Sequence, residues 1–128
     1  MTAITTLRST LATALVDDTR WQVFSFPPAT PIANSVIIQP DDPYIEPTNN
    51  NNNIAPIARF KVVIIVPMFD NQGNLSGVED HVVAVFTKLA ASTLKVNIGS
   101  VSAPSVMTTV AGEMLSSEIA ISILTTWS

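Results

Sequence analysis

The feature that most constrains the fold is the apolar segment at residues 59–69, which contains a continuous run of β-branched and aromatic residues. Successive side chains of a strand point to opposite faces of a sheet, and from Val62 onward both sets are apolar. The segment is therefore predicted to be a central strand, with a strand on either side and helices on at least one face. Pro67 should end it, because proline has no backbone N–H to donate.

Helical and strand patterns predict the remaining elements. We expect helices at residues 2–16 and 76–92, strands at 21–26, 35–39, 95–101 and 119–127, and a polar turn at 70–74. Residues 105–116 fit either a helical turn or an irregular return and stay unassigned. Gly99 is a candidate bulge. The expected fold class is α+β, with a mostly antiparallel sheet of four to five strands and two main helices packed on it.

Residues 40–57 are predicted to form a projecting loop on a single domain of 128 residues. Four prolines interrupt this segment, and five consecutive asparagines occupy residues 49–53. We expect neither a helix nor a strand ladder there. A long loop of this kind in a compact domain is usually functional or disordered, so an interface and a mobile surface loop are both open. Tyr44 and Ile45 are its candidate anchors.

The chain carries little charge. Only 12% of its residues are charged, about half of the roughly 25% typical of soluble domains, whereas 47% are hydrophobic. Such surfaces are often covered by other subunits, because symmetric assembly buries apolar patches. A soluble monomer with a Thr- and Asn-rich face is the alternative. The net charge of −4 and the lack of a basic cluster disfavour direct nucleic-acid binding.

The sequence contains no candidate membrane segment. The N-terminus lacks the continuous apolar region of a signal peptide, and no run approaches the ~20 apolar residues that a membrane span requires. We therefore expect a soluble protein that is not exported by such a signal and does not contact a membrane. The absence of cysteine excludes disulfides, thiolate catalysis and cysteine-ligated zinc.

Motifs that carry chemistry are mostly missing. His81 is the only histidine, which permits a Ser-His-carboxylate arrangement without supporting it, and a flanking position on the second helix is the favoured interpretation. Residues 99–103 have valine where a G-x-S-x-G elbow needs its serine. Residues 70–81 have leucine and histidine where a calcium loop needs glycine and glutamate. We predict a protein that is not an enzyme and has no catalytic, cofactor-binding or metal site.

The order of the segments along the whole chain, and the residue types in each, resemble those of the tail terminator, or tail completion, proteins of long-tailed bacteriophages. The features that carry the resemblance are the first helix, the strand around residues 21–23, the segment Pro-Asp-Asp-Pro-Tyr-Ile-Glu-Pro at 40–47, the apolar strand at 60–66, the helix at 76–92, the strand at 96–101 and the final strand of alternating isoleucines. The asparagine run departs from the pattern of the family.

The resemblance implies a subunit of a hexameric ring that ends the tail tube and joins it to the head-completion, or neck, complex. The implied partners are further copies, the major tail tube protein and the head-completion protein. DNA would pass through the lumen without sequence-specific binding, and a net negative chain suits such a channel. The protein would be assembled in the host bacterial cytoplasm and located in the virion, between tail and neck.

The predicted loop is the candidate contact with a neighbouring subunit or the tube. Its candidate interface residues are Asp41, Asp42, Pro43, Tyr44, Ile45 and Glu46. Another head-to-tail connector or neck protein would fit the same order and composition of segments. A small soluble binding module acting as a monomer is an alternative from a different class, and an enzyme, with His81 as its best residue, is a third.

Overall fold

A computed structural model describes residues 4–17, 19, 21–25, 34–48, 54–67, 75–109 and 112–127. In chain order its elements are α1 (Ile4–Ala14), β1 (Gln22–Phe24), β2 (Ser35–Pro47), β3 (Pro56–Pro67), α2 (Leu75–Ala91), β4 (Lys95–Val101), β5 (Ser105–Thr109) and β6 (Gly112–Leu124). The α+β class is confirmed, with two helices and a mostly antiparallel sheet among the described residues. The sheet has six strands rather than the predicted four to five. The turn predicted at residues 70–74 lies outside the described residues.

The sheet is built around β3, as the sequence predicts. The strand order is β1-β2-β3-β6-β4, and β5 pairs with the part of β6 that β4 leaves uncovered. β1 and β2 are parallel, whereas the other pairs are antiparallel. β3 pairs with β6 from Ile57 to Pro67, and every residue from Val62 to Val66 is buried. The double-sided apolar pattern therefore reflects a strand with neighbours on both sides and cover on both faces.

The main core lies between the helices and one face of the sheet. It combines Leu7 and Leu11 of α1 and Leu15 just beyond it, Val78, Val85 and Leu89 of α2, Phe60, Val62 and Ile64 of β3, and Ile119, Ile121 and Ile123 of β6. Leu7 and Leu11 are four residues apart, which places them on one stripe of the helix, and Leu15 continues this spacing just past its end. A smaller buried cluster lies on the opposite face and contains Ile37, Val63, Ile65 and Met114. Fully burying one such side chain contributes about 1.5–3 kcal/mol.

The prediction of a projecting loop at residues 40–57 is largely wrong. β2 continues to Pro47 and β3 begins at Pro56, so only residues 48–55 connect the two strands. Among the residues described, β1 pairs with residues 35–37 of β2, and no strand covers the outer side of β2 beyond them. Proline is tolerated in an edge strand because its missing donor can face away from the ladder.

Of the unassigned residues 105–116, residues 105–109 form β5 and residues 112–116 begin β6. Gly112 has a φ of 122° at the start of β6, a backbone conformation that L side chains rarely adopt. β6 starts well before the strand predicted at residues 119–127 and ends at Leu124.

The bulge predicted at Gly99 is confirmed, since the pairing of β4 with β6 changes register between Ile98 and Val101. Neither described helix has the length and apolar character that crossing a bilayer would require.

Candidate interaction surfaces

The six candidate interface residues lie together at the outer edge of β2, on a bulge and on the two paired residues that follow it. Pro40 pairs with Phe60 and Ile45 pairs with Ala58, so residues 41–44 stand opposite the single residue Arg59. The extra residues displace the strand outward from the ladder. Tyr44 and Ile45 are 37% and 39% exposed there. The prediction therefore located a continuous surface, although this surface belongs to a strand and not to a loop.

Contacts with β3 hold the bulge on both faces of the sheet. On the face opposite the helices, Glu46 pairs with Arg59, and Asp41 Oδ1 lies 3.9 Å from Lys61 Nζ. Lys61 Nζ also lies 3.6 Å from Glu118 Oε2 on β6. Ion pairs as exposed as these contribute at most about 1 kcal/mol each. Their main effect is to offset the charges of Asp41 and Glu46 within the chain.

The aromatic ring of Tyr44 lies on the helix side of the sheet. It packs edge-on against Phe60, with ring centroids 5.6 Å apart. Ile45 pairs with Ala58, which belongs to the main core, so it points to the same face. The β2 edge thus presents two adjacent apolar side chains whose positions are fixed by the core beneath them.

The end of the β2–β3 hairpin is tied to the C-terminal segment. Thr48 N donates to Ala55 O (2.9 Å), and Ala55 N donates to Thr48 Oγ1 (3.1 Å). Trp127 Nε1 donates to Ile54 O (3.0 Å), and both of these residues are about half exposed. The asparagine run at residues 49–53 lies outside the described residues. Sequence reasoning missed Trp127 because the bond joins segments 73 residues apart.

Replacing Trp127 with alanine should loosen the end of this hairpin. The loss of a half-exposed ring and one hydrogen bond should lower the free energy of unfolding by only about 1 kcal/mol. Hydrogen exchange at the amides of Thr48 and Ala55 should nevertheless accelerate several-fold, since local opening is less costly than global unfolding. Trp127→Phe keeps the ring and removes the donor, which separates the two contributions. Unchanged exchange in both variants would contradict the anchoring role.

A second exposed apolar surface lies at the other edge of the sheet. We call it the α2–β4 shelf and define it by Val83 of α2, Ile98 and Val101 of β4 and Val106 of β5, which are 38% to 65% exposed. A cavity of about 430 Å³ lies beside it, between α2 and the β4–β5 connection. Its lining is mainly apolar, and Glu79 is the charged residue among the described residues that line it. Sequence analysis did not identify this surface, because its residues follow the same periodic patterns as core residues.

The described residues offer few groups placed for catalysis or metal binding. They contain no group of three or more His, Cys, Asp or Glu side chains placed to hold a metal ion. The ring of His81 packs against Trp21, with centroids 5.1 Å apart. His81 thus contributes to the contact between α2 and the segment that precedes β1, as a flanking helix residue would.

No protein-family model matches this chain, and no curated protein is significantly similar to it. Any functional conclusion must therefore come from the surfaces described above, together with the resemblance in the order of its segments.

Proposed function

We propose that this protein is a structural virion protein of a long-tailed bacteriophage, which forms a hexameric ring that ends the tail tube and joins it to the neck. The observation that supports this most directly is the β2 edge. It presents Tyr44 and Ile45 outward, while Asp41 and Glu46 beside them are paired with basic side chains of β3. An exposed aromatic and aliphatic pair, held by a rigid bulge, is the kind of anchor that dominates protein–protein contacts.

The low fraction of charged residues also supports assembly with further copies. With 12% charged residues, the chain cannot surround its exposed apolar side chains with the charged surface of an ordinary soluble domain. Contact with further copies would remove these side chains from water. A closed ring of such contacts leaves no lateral surface for another subunit. Its two faces are different, so one can match the tube while the other ends its growth.

The other partners follow from this arrangement. The major tail tube protein would contact one face of the ring, and the head-completion protein would contact the other. DNA would pass through the lumen, where a chain with a net charge of −4 disfavours lasting contact with phosphates. The protein would therefore be located in the virion, at the junction between tail and neck.

Molar mass in solution tests the proposal. Light scattering over a wide concentration range should find a species of six times the 13.7 kDa chain mass, and negative-stain images should show rings. When purified tail tube protein is added, the rings should occupy tube ends and limit tube length. A chain that stays monomeric at every concentration, and with tube protein present, would contradict the proposal and favour a monomeric binding module.

The β2 edge itself can be tested by a double substitution. Tyr44→Ser with Ile45→Ser should weaken ring formation at least tenfold while leaving the fold intact, because both side chains are already partly exposed. The matched control is Val16→Ser, which removes a similarly exposed apolar side chain elsewhere. Equal ring stability in the double variant and the control would remove the β2 edge from the interface.

A further inference from the structure

β4 forms one end of the sheet, and its outer side is open. Among the described residues, the strand order ends at β4, and no further strand pairs with the side that faces away from β6. Residues 97–103 are exposed one after another, whereas a strand between two neighbours would be covered. From Val96 to Val101 the strand contains neither a proline nor a charged residue, the two features that commonly prevent pairing at an edge.

The pairing of β4 with β6 indicates which backbone groups of β4 point outward. Ser102 N donates to Glu118 O (2.8 Å), so the backbone groups of Glu118 point towards β4. These groups alternate between the two sides of a strand, and those of Ile119, Ile121 and Ile123 therefore point to β3. The residues of β4 that pair with these three direct both N–H and C=O to the outer side. They are Val101, Ile98 and Val96.

The same three residues of β4 turn their side chains to the helix side of the sheet. Their partners on β6 belong to the main core, and paired residues of an antiparallel ladder point to the same face. Ile98 and Val101 are 38% and 39% exposed there. A strand added outside β4 would therefore place every second side chain on the helix side, along the α2–β4 shelf.

The cavity of the α2–β4 shelf has room for a long side chain of an added strand. It measures about 430 Å³, and Val82 and Val83 of α2 line it together with Val101 and Pro104. Glu79 also lines the cavity, is exposed, and has no ion-pair partner among the described residues. A Lys or Arg side chain opposite Val101 would lay its stem on the apolar lining and bring its charge to Glu79.

We propose that the outer side of β4 binds an extended segment of a partner protein as an additional strand of the sheet. The segment carries apolar side chains at alternate positions and a Lys or Arg opposite Val101. In contacts of this kind, main-chain hydrogen bonds provide affinity and the alternate side chains provide specificity. The net charge of −4 also favours a basic partner. The site does not include the β2 edge, so it is independent of the proposed ring.

A second copy of this chain fits the β4 edge less well than such a partner. The outer edge of β2 contains Pro40, Pro43 and Pro47, which cannot donate to a neighbouring strand. Two β4 strands could pair around a two-fold axis, but none of residues 96–109 is basic, so both copies of Glu79 would stay unpaired beside the contact. A partner that contributes its own Lys or Arg removes this difficulty.

Synthetic peptides with blocked ends test the site on the intact chain. The probe alternates valine and threonine, with lysine in place of the central valine. It should bind saturably, and hydrogen exchange at the amides of Val96, Ile98 and Val101 should slow several-fold, because binding gives these amides an acceptor. A matched peptide with glutamine in place of lysine should bind about fivefold more weakly, since it lacks the ion pair with Glu79.

N-methylation distinguishes strand addition from simple apolar contact. A peptide residue that exchanges hydrogen bonds with Ile98 or Val101 lies opposite it and faces the same side. The valine and lysine positions of the probe therefore donate to β4, whereas the threonine positions point away. Methylating the valine and lysine nitrogens should abolish binding. Methylating the threonine nitrogens should leave it nearly unchanged.

Glu79→Gln should weaken binding of the lysine peptide to the level of the glutamine peptide. The matched control is Asp80→Asn, because Asp80 is exposed on the same helix but does not line the cavity. No saturable binding, or equal binding of the two N-methylated peptides, would overturn the proposal. Slow exchange at the three β4 amides in the free chain, together with a dimer in light scattering, would overturn it in favour of a second copy. Ring formation and its dependence on Tyr44 and Ile45 are measured separately, so these outcomes leave the proposed function to its own test.

Discussion

Replacing Phe60 with alanine is expected to lower the free energy of unfolding by about 3–5 kcal/mol. Phe60 is fully buried in the middle of the central strand, between Pro40 on β2 and Ile121 on β6. Strands on both sides limit how far the backbone can move to fill the space, so a cavity should remain. The ring of Tyr44 would also lose the surface on which it packs.

Urea unfolding followed by circular dichroism measures this effect, and the midpoint should fall with little change in the m-value. Val106→Ala on β5 is the control, because that side chain is more than half exposed and its truncation should change stability by less than about 0.5 kcal/mol. A loss below about 1 kcal/mol for Phe60→Ala would mean that β3 is not held as the central strand. If the fold survives, the displaced Tyr44 should also weaken the proposed ring.

The elements that sequence analysis identified correctly are those whose identity depends on local composition. β3 is apolar on both faces, so it could only be an interior strand, and α2 has a wide apolar stripe that needs a sheet beneath it. β4 was predicted with its observed bounds because its β-branched residues stand between polar segments. In each case the side chains themselves specify what must cover them.

The elements that were missed or misassigned depend on pairing between distant segments. The prolines of residues 40–47 exclude an interior strand but not an edge strand, and only the short length of β1 makes this part of β2 an edge. β5 is mainly polar and pairs with β6, which begins at a positive-φ glycine. Neither fact can be deduced from nearby residues.

The two candidate surfaces also differ in whether local sequence could predict them. The predicted interface residues do lie together and include the exposed Tyr44 and Ile45, because prolines and acidic residues correctly indicated a segment outside the core. The α2–β4 shelf was missed because Ile98 and Val101 are indistinguishable in sequence from buried strand residues. Their exposure depends on α2 packing over β3 and β6, which the sequence pattern does not specify.

Replacing Trp21 with alanine is the second change for which we expect a large effect, again about 3–5 kcal/mol of stability. This buried side chain joins three parts of the fold. Its Nε1 donates to the Leu15 carbonyl just beyond α1 (2.8 Å), its ring packs on His81 of α2, and it directly precedes β1. Removing the ring should therefore release the end of α1 and the parallel edge strand together.

Two further variants separate the contributions of Trp21. Trp21→Phe keeps an aromatic ring but leaves the Leu15 carbonyl without its indole donor, so it should cost about 1–3 kcal/mol. A double-mutant cycle with His81→Ala should give a coupling of about 0.5–1.5 kcal/mol, as measured for aromatic pairs.

In a Trp127→Phe background, Trp21 is the sole tryptophan, and its emission should shift to longer wavelength on unfolding. Zero coupling with His81, or emission that already resembles exposed tryptophan in the native state, would contradict this role. Because the side chain of Trp21 belongs to the main core together with residues of both helices, its loss should also disturb how the helices pack on the sheet.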